Sequence, residues 1–171
     1  MRKEHGIKAR DIAVVGVMIA TMEAAKLALS FVPNVELVTL LIILYTIVFE
    51  KRICFVLPAF ILLEGCLYGF GLWWVMYLYI WPLLAGLTWL FRRIESVWFW
   101  SIFSGAYGLC FGLLCSIPYL FIGGVKAAFT WWVAGIPYDL IHCASNALLC
   151  AVLFVPLKNV LLAVHRGRRA S

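Results

Sequence analysis

Charge is scarce in this chain. Only 13% of its 171 residues are charged, 65% are hydrophobic, and the mean hydropathy is +1.03. A soluble domain carries about 25% charged residues, and a chain this apolar has too few polar side chains to cover a surface in water. A bilayer lifts that requirement, because lipid solvates apolar side chains. Paired cysteines are missing too. Cys54, Cys66, Cys110, Cys115, Cys143 and Cys150 all lie in apolar runs and none forms a CxxC pair, so they read as reduced, small core residues. There is no GxxxxGK[ST] phosphate loop, no HExxH and no GxSxG. Ser104-Gly105 lacks the preceding glycine of an intramembrane serine protease motif. His142 alone makes neither a metal site nor a catalytic dyad, and His5 and His165 sit in basic terminal segments. Enzyme chemistry, a metal and a cofactor are therefore not expected. Low-complexity tracts and internal repeats are absent. So is a cleavable leader: the first apolar run, about 12–32, exceeds a signal h-region, and Glu23 and Lys26 stand where a cleavage site would be.

What is present is a series of apolar runs parted by short polar breaks. They predict an all-α polytopic membrane protein, a single membrane domain over 1–171, with six transmembrane helices. The spans fall at about 11–32, 36–49, 53–70, 72–91, 97–122 and 128–162. Pro33-Asn34, Glu50-Lys51-Arg52, Gly69-Phe70-Gly71, Arg92-Arg93 and Gly123-Gly124 supply the breaks. The second span is short, hence tilted or partly interfacial. The sixth is too long for one straight helix, and Pro137 and Pro156 are expected to break it into an initial segment, a spanning core and an exit.

The net charge of +6 is distributed as a membrane protein distributes it, not as a nucleic-acid binder does. Arg2, Lys3, Lys8, Arg10, Lys51, Arg52, Arg92, Arg93, Lys158, Arg166, Arg168 and Arg169 fall on one side, Lys126 alone on the other, and Lys26 within the first span. Twelve against one places both termini in the cytoplasm. Trp73, Trp74, Trp98, Trp100, Trp131 and Trp132 near span ends read as an interfacial aromatic belt.

Polar groups inside apolar runs are costly, so each is a candidate for function. Asp139, His142 and Asn146 are spaced i, i+3, i+7 and share one face of the sixth span. They form either a ligand-contacting stripe or a hydrogen-bond network that holds helices together. Glu64 and Tyr68 share a face of the third span. Trp74, Tyr77 and Trp81 make an aromatic stripe in the fourth, suited to a planar ligand or to ordinary packing. Glu23 and Lys26, three apart, are placed to neutralise each other. Asn34 and Glu36 lie in the first outward loop, where Asn34 after Pro33 reads as turn chemistry and the loop is placed to cap an outward-facing pocket. Gly16, Ala20 and Ala24 leave a groove along the first span for close approach of another helix.

Three stretches together resemble the substrate-binding S component of energy-coupling factor (ECF) vitamin transporters. They are Phe31-Val32-Pro33-Asn34-Val35-Glu36-Leu37-Val38-Thr39, then Gly135-Ile136-Pro137-Tyr138-Asp139-Leu140-Ile141-His142 with Asn146 and the later Pro156-Leu157, and the small-xxx-small pattern from Gly16 to Ala20. The first two are fairly specific. The third is not, and Gly16 departs from the alanine the family often has there. The resemblance implies a six-helix bundle in a prokaryotic plasma membrane that binds a vitamin from outside. It implies as partners a coupling membrane subunit and two cytoplasmic ATPase subunits, which power uptake in the manner of an ABC transporter while the S component topples to release its ligand. Gly16, Ala20 and Ala24 would dock on the coupling subunit. Asn34 and Glu36 would close the pocket that Asp139, His142 and Asn146 line or brace. The two specific stretches look most like the cobalamin-type subgroup, so a corrinoid ranks first, ahead of pantothenate, a folate or a pyrimidine. The competing expectation is a self-sufficient secondary transporter or channel for a small organic solute, although the inverted repeats and paired broken helices of such folds are not seen.

Overall fold

The computed structural model describes residues 9–169. Arg2, Lys3, His5 and Lys8 lie outside them. Among the described residues seven α-helices follow one another, α1 (Ala9–Leu29), α2 (Val38–Phe49), α3 (Ile53–Tyr68), α4 (Leu72–Phe91), α5 (Val97–Leu109), α6 (Phe111–Cys115) and α7 (Ile117–Arg169), with a single 3-10 turn at Glu50–Arg52 between α2 and α3. No strand occurs among the described residues. Among the described residues four stretches are long and apolar enough to cross a membrane: Arg10–Leu29, Leu72–Phe91, Val97–Cys115 and Ile117–Arg166.

The helix ends have local causes. Gly69, at φ 90°, stops α3, because only glycine takes that conformation without strain. The Ser96 hydroxyl accepts from the Phe99 N–H at 3.3 Å and opens α5. Within α7 the non-helical backbone is at Gly123 (φ −138°) and Gly124 (φ 70°). Pro137 and Pro156 both lie inside the helix that follows. The expected proline breaks are therefore corrected: the chain turns at the glycine pair and runs on as helix through both prolines. Each proline removes one i→i−4 hydrogen bond, which neighbouring packing can offset.

The 12 residues of α2 form the centre of the core. All but Ile47 are buried, so the short second helix is wrapped by protein. Around it pack Met18 and Met22 of α1, Val56 and Phe60 of α3, Ile80 and Leu84 of α4, and Cys150 and Phe154 of α7. The cysteine reading needs a similar correction. All six are free, but only Cys150 is in the core, and Cys54, Cys66 and Cys110 are exposed on helix surfaces. Trp100 is likewise no belt residue: it is fully buried, donates to the Ile94 carbonyl at 2.8 Å and stacks on Phe154.

The most extensive helix contact is between α5 and α7. They run antiparallel: Ser101 donates to the Ala147 carbonyl at 2.6 Å, and further along α5 Gly105 lies against Cys143 and Gly108 against His142. Three glycines permit the approach. A Cβ on Gly108 would lie 2.9 Å from the His142 carbonyl, one on Gly105 would lie 3.1 Å from the Cys143 carbonyl, and one on Gly112 would collide with the Asp139 carboxylate. Small residues at such spacing let helix backbones meet, and here they press α5 against the face of α7 that carries the polar stripe.

Candidate functional site

The irregular stretch between α1 and α2 folds onto α7. Asn34 takes φ 59°, which turns the chain after Pro33. Its carbonyl accepts from the Ser145 hydroxyl at 2.9 Å, an oxygen that also lies 3.1 Å from the His142 carbonyl. Glu36 Oε2 accepts from the Thr39 N–H at 2.9 Å and so satisfies an open donor in the first turn of α2. Its other oxygen lies 3.2 Å from His142 Nε2. Residues 106 positions apart thus latch the loop to α7. Burial works to raise the Glu36 pKa, but the hydrogen bond and charge of His142 and the Thr39 contact outweigh it, and the carboxyl is held below its ordinary value.

The polar stripe of α7 turns inward. Asp139, His142 and Asn146 are 5%, 4% and 2% exposed. Asp139 Oδ1 accepts from the Gly112 N–H at 2.9 Å. The His142 ring packs edge-on against Phe111, whose own ring meets Trp81, and Trp81 meets Tyr77. The aromatic stripe of α4 therefore approaches the α7 stripe through Phe111. Among the described residues several buried atoms here have no hydrogen-bond partner: Asp139 Oδ2, both amide atoms of Asn146, Trp81 Nε1 and Thr39 Oγ1. Buried polar groups in folded proteins nearly always have partners, and each unpartnered one calls for an explanation.

Asp139 also opens on a hollow. It is an open groove of about 320 Å³ along Gly112, Trp131, Ala134, Gly135, Tyr138 and Asp139. A second hollow of about 520 Å³, lined by Tyr119, Gly123, Lys126, Thr130 and again Trp131 and Ala134, adjoins it. Both volumes fall in the ~300–1,000 Å³ range of small-molecule pockets. Aromatic walls, one carboxylate and one lysine offer stacking surfaces and both signs of charge.

No family model, curated protein or solved structure matches this chain.

The remaining sequence candidates separate into two groups. Glu64 and Tyr68 face α1: Lys26 pairs with Glu64, and the Tyr68 hydroxyl donates to Glu23 Oε1 at 2.5 Å. Lys26 makes its direct bond across to Glu64 of α3, while its charge also acts on Glu23 as the spacing led one to expect. Trp74 donates to the Ile61 carbonyl at 2.8 Å and braces α3 on α4. Gly16, Ala20 and Ala24 lie on the exposed side of α1, with nothing within 4 Å of a Cβ placed on Gly16. Residues that sequence reasoning passed over are Thr39, Phe111, Gly112, Trp131, Tyr138 and Ser145. For Gly112 a signal existed in the spacing Gly105, Gly108, Gly112, another run of small residues along one helix.

Proposed function

We propose that the chain is a membrane-embedded binding protein of the ECF S-component type. It crosses the bilayer six times with both termini in the cytoplasm, takes a vitamin-like molecule from outside, and relies on a coupling subunit and two ATPase subunits for uptake. The observation that carries this reading is the latch of Glu36 and Asn34 on His142 and Ser145. Non-helical backbone at membrane depth is tolerated where it is buried in protein or lines a cavity. This loop lies against the middle of α7 beside unpartnered polar atoms, one helical turn from the Asp139 that borders the groove. A loop held by side-chain contacts can open and close without unfolding a helix, as capture of a ligand requires.

The basic bias and the alternating run of helices support the topology. The exposed small-residue face of α1 suits docking on a coupling subunit. Within the substrate class, the hollow at Asp139 alone suits a vitamin of one or two rings, and the corrinoid that the resemblance ranks first would need the adjoining hollow as well. The test is transport. Reconstituted alone, the chain should bind a vitamin and move none, and uptake should appear only with the coupling subunit and ATP-hydrolysing partners. Ligand flux through the chain alone would instead establish the self-sufficient transporter.

A further inference from the structure

A second buried polar cluster joins α1 to α3, and the hollows do not touch it. Glu64 is fully buried and Glu23 is nine-tenths buried. Lys26 and Tyr68, in contact with each other, hold the two carboxyl groups in one cluster. Each uses one oxygen elsewhere: Glu64 Oε2 takes Lys26, and Glu23 Oε1 takes the Tyr68 hydroxyl at 2.5 Å. The Lys26 ammonium also sits over the Tyr68 ring, 4.1 Å from its centroid. What is left is Glu23 Oε2 and Glu64 Oε1, both buried and both without a partner among the described residues. The other titratable groups facing the cluster are phenols and one distant acid. Tyr77 of α4 is close enough to feel Glu23, Glu64 and Glu36, and Tyr45 of α2 is spent on the Met18 carbonyl.

Two carboxylates and one ammonium leave one negative charge too many for an apolar interior, where an unbalanced charge costs several kcal/mol by order of magnitude. Two like charges in contact do not both ionise. We infer that Glu23 and Glu64 form a proton-binding site, in which one proton taken from water bridges Glu23 Oε2 and Glu64 Oε1. The pair passes from two negative charges to one, Lys26 balances that one, and both unpartnered oxygens are satisfied at once. A metal cation fits less well. The Lys26 ammonium already occupies one Glu64 oxygen and repels a second cation, and no group of three metal-ligating side chains exists among the described residues.

The test uses the purified full chain in lipid nanodiscs. Infrared spectra of the wild type should show a protonated-carboxyl band that vanishes as pH rises, with a parallel downward shift in melting temperature. Glu23→Gln should lack that band and keep its melting temperature over the same range, because its amide donates to Glu64 as the shared proton does. Sodium at constant pH should change neither. The proposal is overturned if Glu23→Gln follows the wild-type pH profile or fails to fold, since the amide supplies the same bond. It is also overturned if the band persists in Glu23→Gln, if the wild type shows no such band, or if sodium restores stability at high pH.

Discussion

The two buried polar clusters differ in how far they can satisfy themselves. Between α1 and α3, the unpartnered oxygens of Glu23 and Glu64 belong to carboxyl groups that Lys26 and Tyr68 hold in one cluster, and one proton serves both. Between the α1–α2 loop and α7, the unpartnered atoms of Thr39, Trp81, Asp139 and Asn146 come from three helices and include donors and acceptors. No single proton satisfies that set. The first cluster reads as a lock between helices, and the second as a place that takes its partners from a ligand. Buried polar groups thus need sorting by what would complete them, because burial alone does not separate bracing from binding.

Breaking the lock should have the largest effect. Lys26→Met strands the fully buried Glu64 beside Glu23, and although Lys26 is itself partly exposed, the loss approaches the about 3–5 kcal/mol that removing one partner of a buried pair costs. Thermal unfolding should show that loss, while the folded fraction keeps its ligand affinity. Next comes Asp139→Ala, where a hydrogen bond to a charged group is worth about 1.5–3 kcal/mol, or roughly a 10- to 100-fold loss of affinity. Asn146→Ala should weaken binding less, as its amide, itself without a partner in the unliganded chain, lies about two turns of helix further along α7 from the groove at Asp139.

The latch gives a smaller, pH-dependent effect. Glu36 is held below its ordinary value of 4.5 in the folded chain, so its stabilisation is present above that value and is lost as pH falls through the lowered one. Glu36→Gln should flatten this acid limb of the melting profile and leave the profile at neutral and higher pH in shape. The smallest effect on the isolated protein belongs to Gly16→Leu. Space around Gly16 is open, so stability should change within about 0.5 kcal/mol and binding hardly at all. Transport with the coupling subunit should fail, and unimpaired transport would move the docking face elsewhere.

Much of this was legible in the chain because helix period and punctuation are local. Helix α4 occupies 72–91 between Gly71 and Arg92-Arg93, and the shared inward face of Asp139, His142 and Asn146 follows from spacing alone. Partners were not legible, because they are set by helix packing. His142 meets Glu36 from 106 residues away, and Lys26 chooses Glu64, 38 residues distant, over Glu23 on the next turn. The break at Gly123-Gly124 was legible, whereas the continuity of helix through Pro137 and Pro156 was not, for a related reason. A proline's lost hydrogen bond is a local cost that packing can offset, whereas two successive glycines lower the cost of a sharp reversal. The central place of α2 was hidden by its length: 12 residues give about 18 Å of helix, less than the ~30 Å of a bilayer core.

The most direct measurement is calorimetric titration of the purified chain with a panel of vitamins, run in parallel on Asp139→Ala and on Lys26→Met at a temperature where each stays folded. One vitamin should bind the wild type, bind Asp139→Ala at least about 10-fold more weakly, and bind Lys26→Met with wild-type affinity. Binding by none of the panel, or equal binding by wild type and Asp139→Ala, would contradict the assignment of the α7 cluster as the ligand site.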